Sequence, residues 1–174
     1  MHRMRSLILI FSKAVILITI YSSFSCKNNQ NKIIFPENIV FAINDSSIYF
    51  NDFISAKWKV VRYINIDCSV CTAELKELDN IFPTMENSNI ELGAIVYGEQ
   101  FQVFSYYLDK KGVRFPVFFD SDNSFYSANK LNDNNRHHTF LVDENNRIIH
   151  RGSLTYSQFD KEDFINAIEE FVKK

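Results

Sequence analysis

Cys68 and Cys71, separated by Ser69 and Val70, are the residues whose types and spacing carry the most chemistry in this sequence. They follow Lys59–Ile66, a run rich in β-branched residues that predicts a largely buried strand. They open Thr72–Phe82, where Leu75, Leu78 and Phe82 recur at helical spacing and Pro83 is expected to end or kink the helix. A cysteine at a helix N-terminus meets unpaired backbone N–H groups and the positive end of the helix dipole, and both stabilise a thiolate. The thiolate is the nucleophile of disulfide exchange, and a second cysteine one turn on is close enough to resolve the mixed disulfide. Cys68 is therefore assigned as nucleophile and Cys71 as resolving thiol. A purely structural disulfide would close a very small loop and stabilise little. A structural zinc site needs two more ligands, and with 3 Cys in the chain no second cysteine pair exists.

The third cysteine belongs to a different segment. Arg3 and Arg5 precede the mostly apolar run Leu7–Tyr21, and Ser22-Ser23-Phe24-Ser25 leads directly into Cys26. That charged, apolar, then small layout is the pattern of a secretory signal. The apolar stretch after Lys13 is too short to span a bilayer. A small residue immediately before a cysteine resembles a bacterial lipoprotein signal, although Ser23 stands where Leu is usual. The reading is a signal peptide over residues 1–25, lipidation of Cys26 and a polar tether over 26–32. It implies a domain over residues 33–174, lipid-anchored to a membrane of the cell envelope and facing the periplasm.

The whole chain has 174 residues, a formal net charge of −2, and 46% hydrophobic, 15% aromatic and 23% charged residues. One domain with a real core fits that length, and disorder does not fit that composition. The near-neutral balance argues against nucleic acid as a partner, because a phosphate footprint needs clustered Lys and Arg.

Further elements must hold the cysteine pair. Ile33–Ile43 reads as a strand or extended arm packed on the domain, and Ser47–Phe53 as a short strand. Ile90–Tyr97 and Phe115–Phe119 read as strands, with a helix over Phe101–Lys111 stopped by Gly112. A short helix over Asp122–Leu131 follows, then a hairpin of His138–Val142 and Arg147–Gly152. Ser157–Lys173 closes the chain as an amphipathic helix with Phe159, Phe164, Ile168 and Phe171 on one stripe. The order β-α-β-α-β-α-β-β-α gives an α/β fold, a central mixed sheet flanked by helices.

Three segments, Tyr63–Cys71, Phe115–Asp120 and His138–Ile149, resemble the thioredoxin superfamily in order and spacing. Within it they resemble specifically the TlpA/ResA-like group of membrane-tethered extracytoplasmic thiol–disulfide oxidoreductases, over roughly Lys59 to the C-terminus. The resemblance implies a thioredoxin-like fold, a redox-active Cys68–Cys71 disulfide without other cofactor, client proteins with disulfides to reduce, and a thiol electron donor. A dedicated peroxidase is not expected. The Pro and Thr that precede a peroxidatic cysteine are replaced, counting back from Cys71, by Ile64 and Cys68.

The chain departs from the group in three places. Asp67 stands directly before Cys68, where a carboxylate would oppose thiolate formation. Ser69-Val70 brings neither Pro nor charge between the cysteines. The group also places a cis-proline before the hairpin strand, and here that position falls at or near His137, with no Pro after Pro116. A cis bond at a non-proline residue costs about 2.5–4 kcal/mol, so a trans loop is expected. His137, His138 and Thr139 are thus the candidate groove loop, and its histidines read either as solvent-facing residues of the polar loop Asn132–His138 or as groups that stabilise the Cys68 thiolate or shuttle protons. Glu74 and Glu77 read as a solvated helix face, and Arg136 as a loop cation in position to offset Asp67 or meet an acidic substrate, or simply exposed. Two rival functions remain. One is copper or zinc binding and delivery by Cys68, Cys71 and His137 or His138, as in the thioredoxin-fold Sco copper proteins. The other is a non-catalytic binding domain with an inert disulfide.

Overall fold

A computed structural model describes residues 31–172 apart from Phe41 and Asp133. The expected signal over residues 1–25, the lipidation site Cys26 and most of the 26–32 tether lie outside the described residues.

The first described segment is an extended arm. Ile33 N donates to Asn146 O at 2.9 Å, Ile148 N donates to Asn31 O at 2.8 Å, and Ile33, Ile39 and Ala42 are buried. Ser47–Phe53 does not form the expected strand. Phe50–Ser55 is a helix, α1, because Phe50 and Phe53 lie three apart and share one buried face. Both rings pack on Phe118, at centroid distances of 4.8 and 5.1 Å.

Five strands and four further helices follow: β1 (Trp58–Asn65), α2 (Ser69–Glu86), β2 (Glu91–Tyr97), α3 (Phe101–Lys111), β3 (Val117–Phe119), α4 (Ser124–Ala128), β4 (Thr139–Asp143), β5 (Ile148–Gly152) and α5 (Gln158–Phe171). The sheet order is β3-β2-β1-β4-β5. β1 runs parallel to β2, and β2 to β3, whereas β4 is antiparallel to both β1 and β5. The expected mixed sheet flanked by helices is therefore present.

Alternation along the strands builds a core on each face of the sheet. Val60, Ile64, Leu92, Val96 and Leu141 pack with Leu75 and Leu78 of α2, Phe104 and Leu108 of α3, and Phe164 and Ile168 of α5. Val61, Tyr63, Ile95, Phe140 and Val142 pack with Phe50, Phe53, Phe125 and the arm.

Two helices differ from expectation. α2 continues through Pro83 to Glu86. Pro83 has no N–H to offer the Asp79 carbonyl four residues back, so that acceptor would be orphaned. Arg114 supplies the missing donor: its Nη2 reaches Asp79 O at 2.5 Å, while its Nε lies 3.2 Å from each Asp79 carboxylate oxygen. In α5 the buried stripe is Phe164, Ala167 and Ile168, and Phe159 and Phe171 are 74% and 46% exposed. At 100° per residue Phe159 falls well off the direction of Phe164. α3 ends where expected, on Gly112 at φ +61.

Candidate active site

β1 ends at Asn65, and a tight turn carries the chain into α2. The Asn65 carboxamide oxygen accepts from Asp67 N at 2.9 Å, and Cys68 takes the N-cap position of the helix with extended φ. Its Sγ accepts from Cys71 N at 3.3 Å, so the sulfur meets one of the unpaired amides of the first turn. The Cα atoms of Cys68 and Cys71 are 5.2 Å apart and their sulfurs are joined as a disulfide. Cys68 is half-buried and Cys71 only 5% exposed. The accessible sulfur is thus that of the assigned nucleophile, and the protected one that of the resolving thiol.

Asp67 stands directly before Cys68 and has a structural part as well. Its carboxylate accepts from Glu99 N at 3.0 Å and from Gln100 N at 3.1 Å, which ties the turn after β1 to the start of α3. Gly98 makes that approach possible, because a Cβ there would lie 2.5 Å from Ile66 Cγ1 and 2.9 Å from both Asp67 carboxylate oxygens.

A pocket of about 320 Å³ opens beside the disulfide. Its lining includes both cysteines, Arg62, Tyr63 and Asn65 from β1, Asn123 and Tyr126 from the α4 region, and Asn132 and His138 from the segment before β4. His138 is placed by backbone pairing: its carbonyl accepts from Tyr63 N at 3.0 Å, extending the β1–β4 ladder by one residue. Its ring meets Tyr63 and Tyr126 edge-on at 5.7 and 6.2 Å. The Tyr63 hydroxyl donates to Asn123 Oδ1 at 2.7 Å. Asp120 caps the short α4, accepting from Phe125 N at 2.8 Å and from the Ser124 hydroxyl at 2.9 Å. Burial holds the Asp120 carboxyl above its ordinary range despite those bonds.

His138 is 3% exposed and its Nε2 has no hydrogen-bond partner among the described residues. Burial, then the charges of Arg62 and Arg151, push its pKa down to about 4, against a hydrogen bond with the Asn132 backbone that raises it. At neutral pH the imidazole is neutral. No cis peptide bond occurs among the described residues, in line with the trans loop expected at His137 and His138.

The candidate loop divides in three. Only His138 lines the pocket. His137 lies in a single 3-10 turn over Asn135–His137, and its carbonyl accepts from Arg151 Nε at 2.7 Å. Thr139 is buried, with its hydroxyl accepting from Arg62 Nη1 at 3.4 Å. Among the described residues no group of three or more His, Cys, Asp or Glu side chains is arranged to hold a metal, so Cys68, Cys71 and His137 are not gathered as the copper reading requires. Arg136 neither offsets Asp67 nor reaches the pocket. It pairs with Asp160 at 2.6 Å and lies over the Tyr156 ring at 5.1 Å. Glu74 is no solvated residue either: it forms an ion pair with Arg62, whose side chain is 1% exposed. Arg62 was legible as one of two cations, with Lys59, in a mostly apolar strand, but its proximity to the cysteines required the fold.

Solved structures share this architecture. A candidate thiol:disulfide interchange protein DsbE from Chlorobium tepidum aligns at TM-score 0.62 and 12% identity, over 80% of this chain and 96% of its own. The thioredoxin domain of a thiol-disulfide oxidoreductase from Bacteroides vulgatus aligns at 0.60 and 16%, over 82% and 96%. A thiol:disulfide interchange protein from a Bacteroides species aligns at 0.59 and 15%, over 83% and 91%. At these identities the likeness establishes the fold, which is thioredoxin-like. No curated protein matches the chain in sequence. The sequence pattern of one family does match, over residues 35–151, a stretch that contains the disulfide, Arg62 and His138 and agrees with the TlpA/ResA-like resemblance. This chain belongs to the AhpC/TSA family of the thioredoxin superfamily, and family and disulfide together support an oxidoreductase activity.

Proposed function

We propose that the protein is a membrane-tethered extracytoplasmic thiol–disulfide oxidoreductase that reduces disulfides of client proteins. The observation that carries this reading is the asymmetric Cys68–Cys71 disulfide at the start of α2, one sulfur accessible and the other buried beside a pocket.

In the reduced protein the Cys68 thiolate attacks one sulfur of a client disulfide. A Cys68–client mixed disulfide forms and the first client thiolate leaves. Cys71 then loses its proton, and its thiolate attacks Cys68 Sγ. The internal disulfide closes and the second client thiolate leaves. Two electrons pass from the cysteine pair to the client, and an external thiol donor restores the pair. His138, neutral near pH 7 and with its Nε2 unpartnered among the described residues, lines the same pocket as both cysteines.

Reduction of a protein disulfide by the full chain with dithiothreitol as donor tests the reading. Wild type is expected to turn over and Cys68→Ser to be inactive. An inactive wild-type protein would refute it. The tether is tested separately, by incorporation of labelled fatty acid that is lost in Cys26→Ala. Labelling that persists in Cys26→Ala would remove the lipid anchor from the proposal.

A further inference from the structure

β1 buries a cation in the middle of a mostly apolar strand. Arg62 is 1% exposed and lines the same pocket as Cys68, Cys71 and His138. Its Nη2 donates to the Glu74 carboxylate and its Nη1 to Thr139 Oγ1. Glu74 lies three residues after Cys71 on α2, keeps 16% exposure, and does not line the pocket. The pair is therefore polarised, with the guanidinium toward the pocket of the sulfurs and the carboxylate toward the surface. Burial lowers the Arg62 pKa and Glu74 opposes that, but a guanidinium remains charged throughout the working pH range. A buried charge is also only weakly screened by salt.

We propose that Arg62 is a further functional residue of this site, a fixed buried cation that stabilises the Cys71 thiolate needed to resolve the mixed disulfide. The inference rests on the exchange reading above and names the group that makes its second step feasible. A thiol as buried as Cys71 is hard to ionise, because desolvation penalises the thiolate. Within the pocket lining, Arg62 on β1 carries the positive charge that works against that penalty. Its ion-pair partner Glu74 on α2 and Asp120 just after β3 lie outside the lining and bring negative charge that works with it. Arg151 on β5, also outside the lining, acts on His138, which is neutral near pH 7, and the phenols of Tyr63 and Tyr126 form part of the wall. The Asp67 carboxylate, bonded to the Glu99 and Gln100 amides, is a further negative charge directly before Cys68. The field of Arg62 already acts across the pocket, as it is the second cause of the low pKa of His138.

The test uses the full chain with Cys68→Ser, so that Cys71 cannot form the disulfide. The rate of Cys71 alkylation by iodoacetamide is followed against pH, read by mass spectrometry of the Cys71 peptide. Arg62→Met is expected to raise the Cys71 pKa by about one unit, a tenfold loss of the thiolate ratio, and Arg62→Lys to restore most of it. Glu74→Gln is expected to move it down. A purely structural ion pair would lower stability in both variants without shifts of opposite sign. An unchanged Cys71 pKa in a folded Arg62→Met, or a shift in the same direction in both variants, overturns the proposal. Should Arg62→Met fail to fold, Glu74→Gln decides, and an unchanged or raised pKa there overturns it. Wild-type turnover of a protein disulfide is scored independently, so failure of the exchange reading is distinguishable from failure of the role of Arg62.

Discussion

His138 and Cys71 line one pocket from different elements, the histidine from the residue before β4 and the cysteine from the first turn of α2. The histidine is buried with Nε2 unpartnered among the described residues, and its pKa is pushed down to about 4. The protein thus holds a neutral imidazole in the wall of the pocket that Cys71 also lines.

That arrangement has a cost at low pH. Between the ordinary value of 6.5 and about 4, the unfolded chain binds a proton at His138 that the folded chain refuses. Stability from this group is therefore complete above pH 6.5 and declines as pH falls toward 4. His138→Gln is expected to flatten that part of the stability profile, measured as urea midpoints at about pH 7 and about pH 4.5. A profile as steep as wild type would place the acid sensitivity elsewhere.

Arg114 holds a helix through a proline. Because its guanidinium replaces the amide that Pro83 cannot offer to Asp79 O, Arg114→Ala should destabilise the protein by roughly 1–2 kcal/mol. The readout is the midpoint of urea unfolding. A Pro83→Ala background restores the backbone donor and should shrink the loss.

Gly98 is required by proximity. Gly98→Ala would push a methyl group into Ile66 and the Asp67 carboxylate, and is expected to cost about 1–3 kcal/mol. Thermal unfolding reads the loss, and amide exchange at Glu99 and Gln100 should rise as their bonds to Asp67 weaken. Unchanged exchange at both amides would contradict the clamp.

These positions also show where sequence reading stops. The strand before Cys68, the helix after it and the β4–β5 hairpin were legible because hydrophobic period and turn residues are local signals. Pro83 misled because its rescue comes from Arg114, thirty-one residues on and visible only once α2 packs beside the start of β3. Phe50 misled because aromatic residues favour strands, and here packing of a helical face on Phe118 overrode that preference. In the site, the cysteines were legible from spacing and His138 from its place before β4. Arg62 and Glu74 were not paired in advance, because their contact joins the middle of one element to the face of another.

The most direct test of the account is trapping through Cys71→Ser in the full chain. With the resolving thiol gone, the Cys68 thiolate is expected to remain bonded to client sulfur. It should therefore accumulate adducts released by dithiothreitol, with the crosslink at Cys68, and Cys68→Ser should accumulate none. Adducts formed equally by both variants, or by neither, would contradict the assignment of Cys68 as nucleophile and Cys71 as resolving thiol.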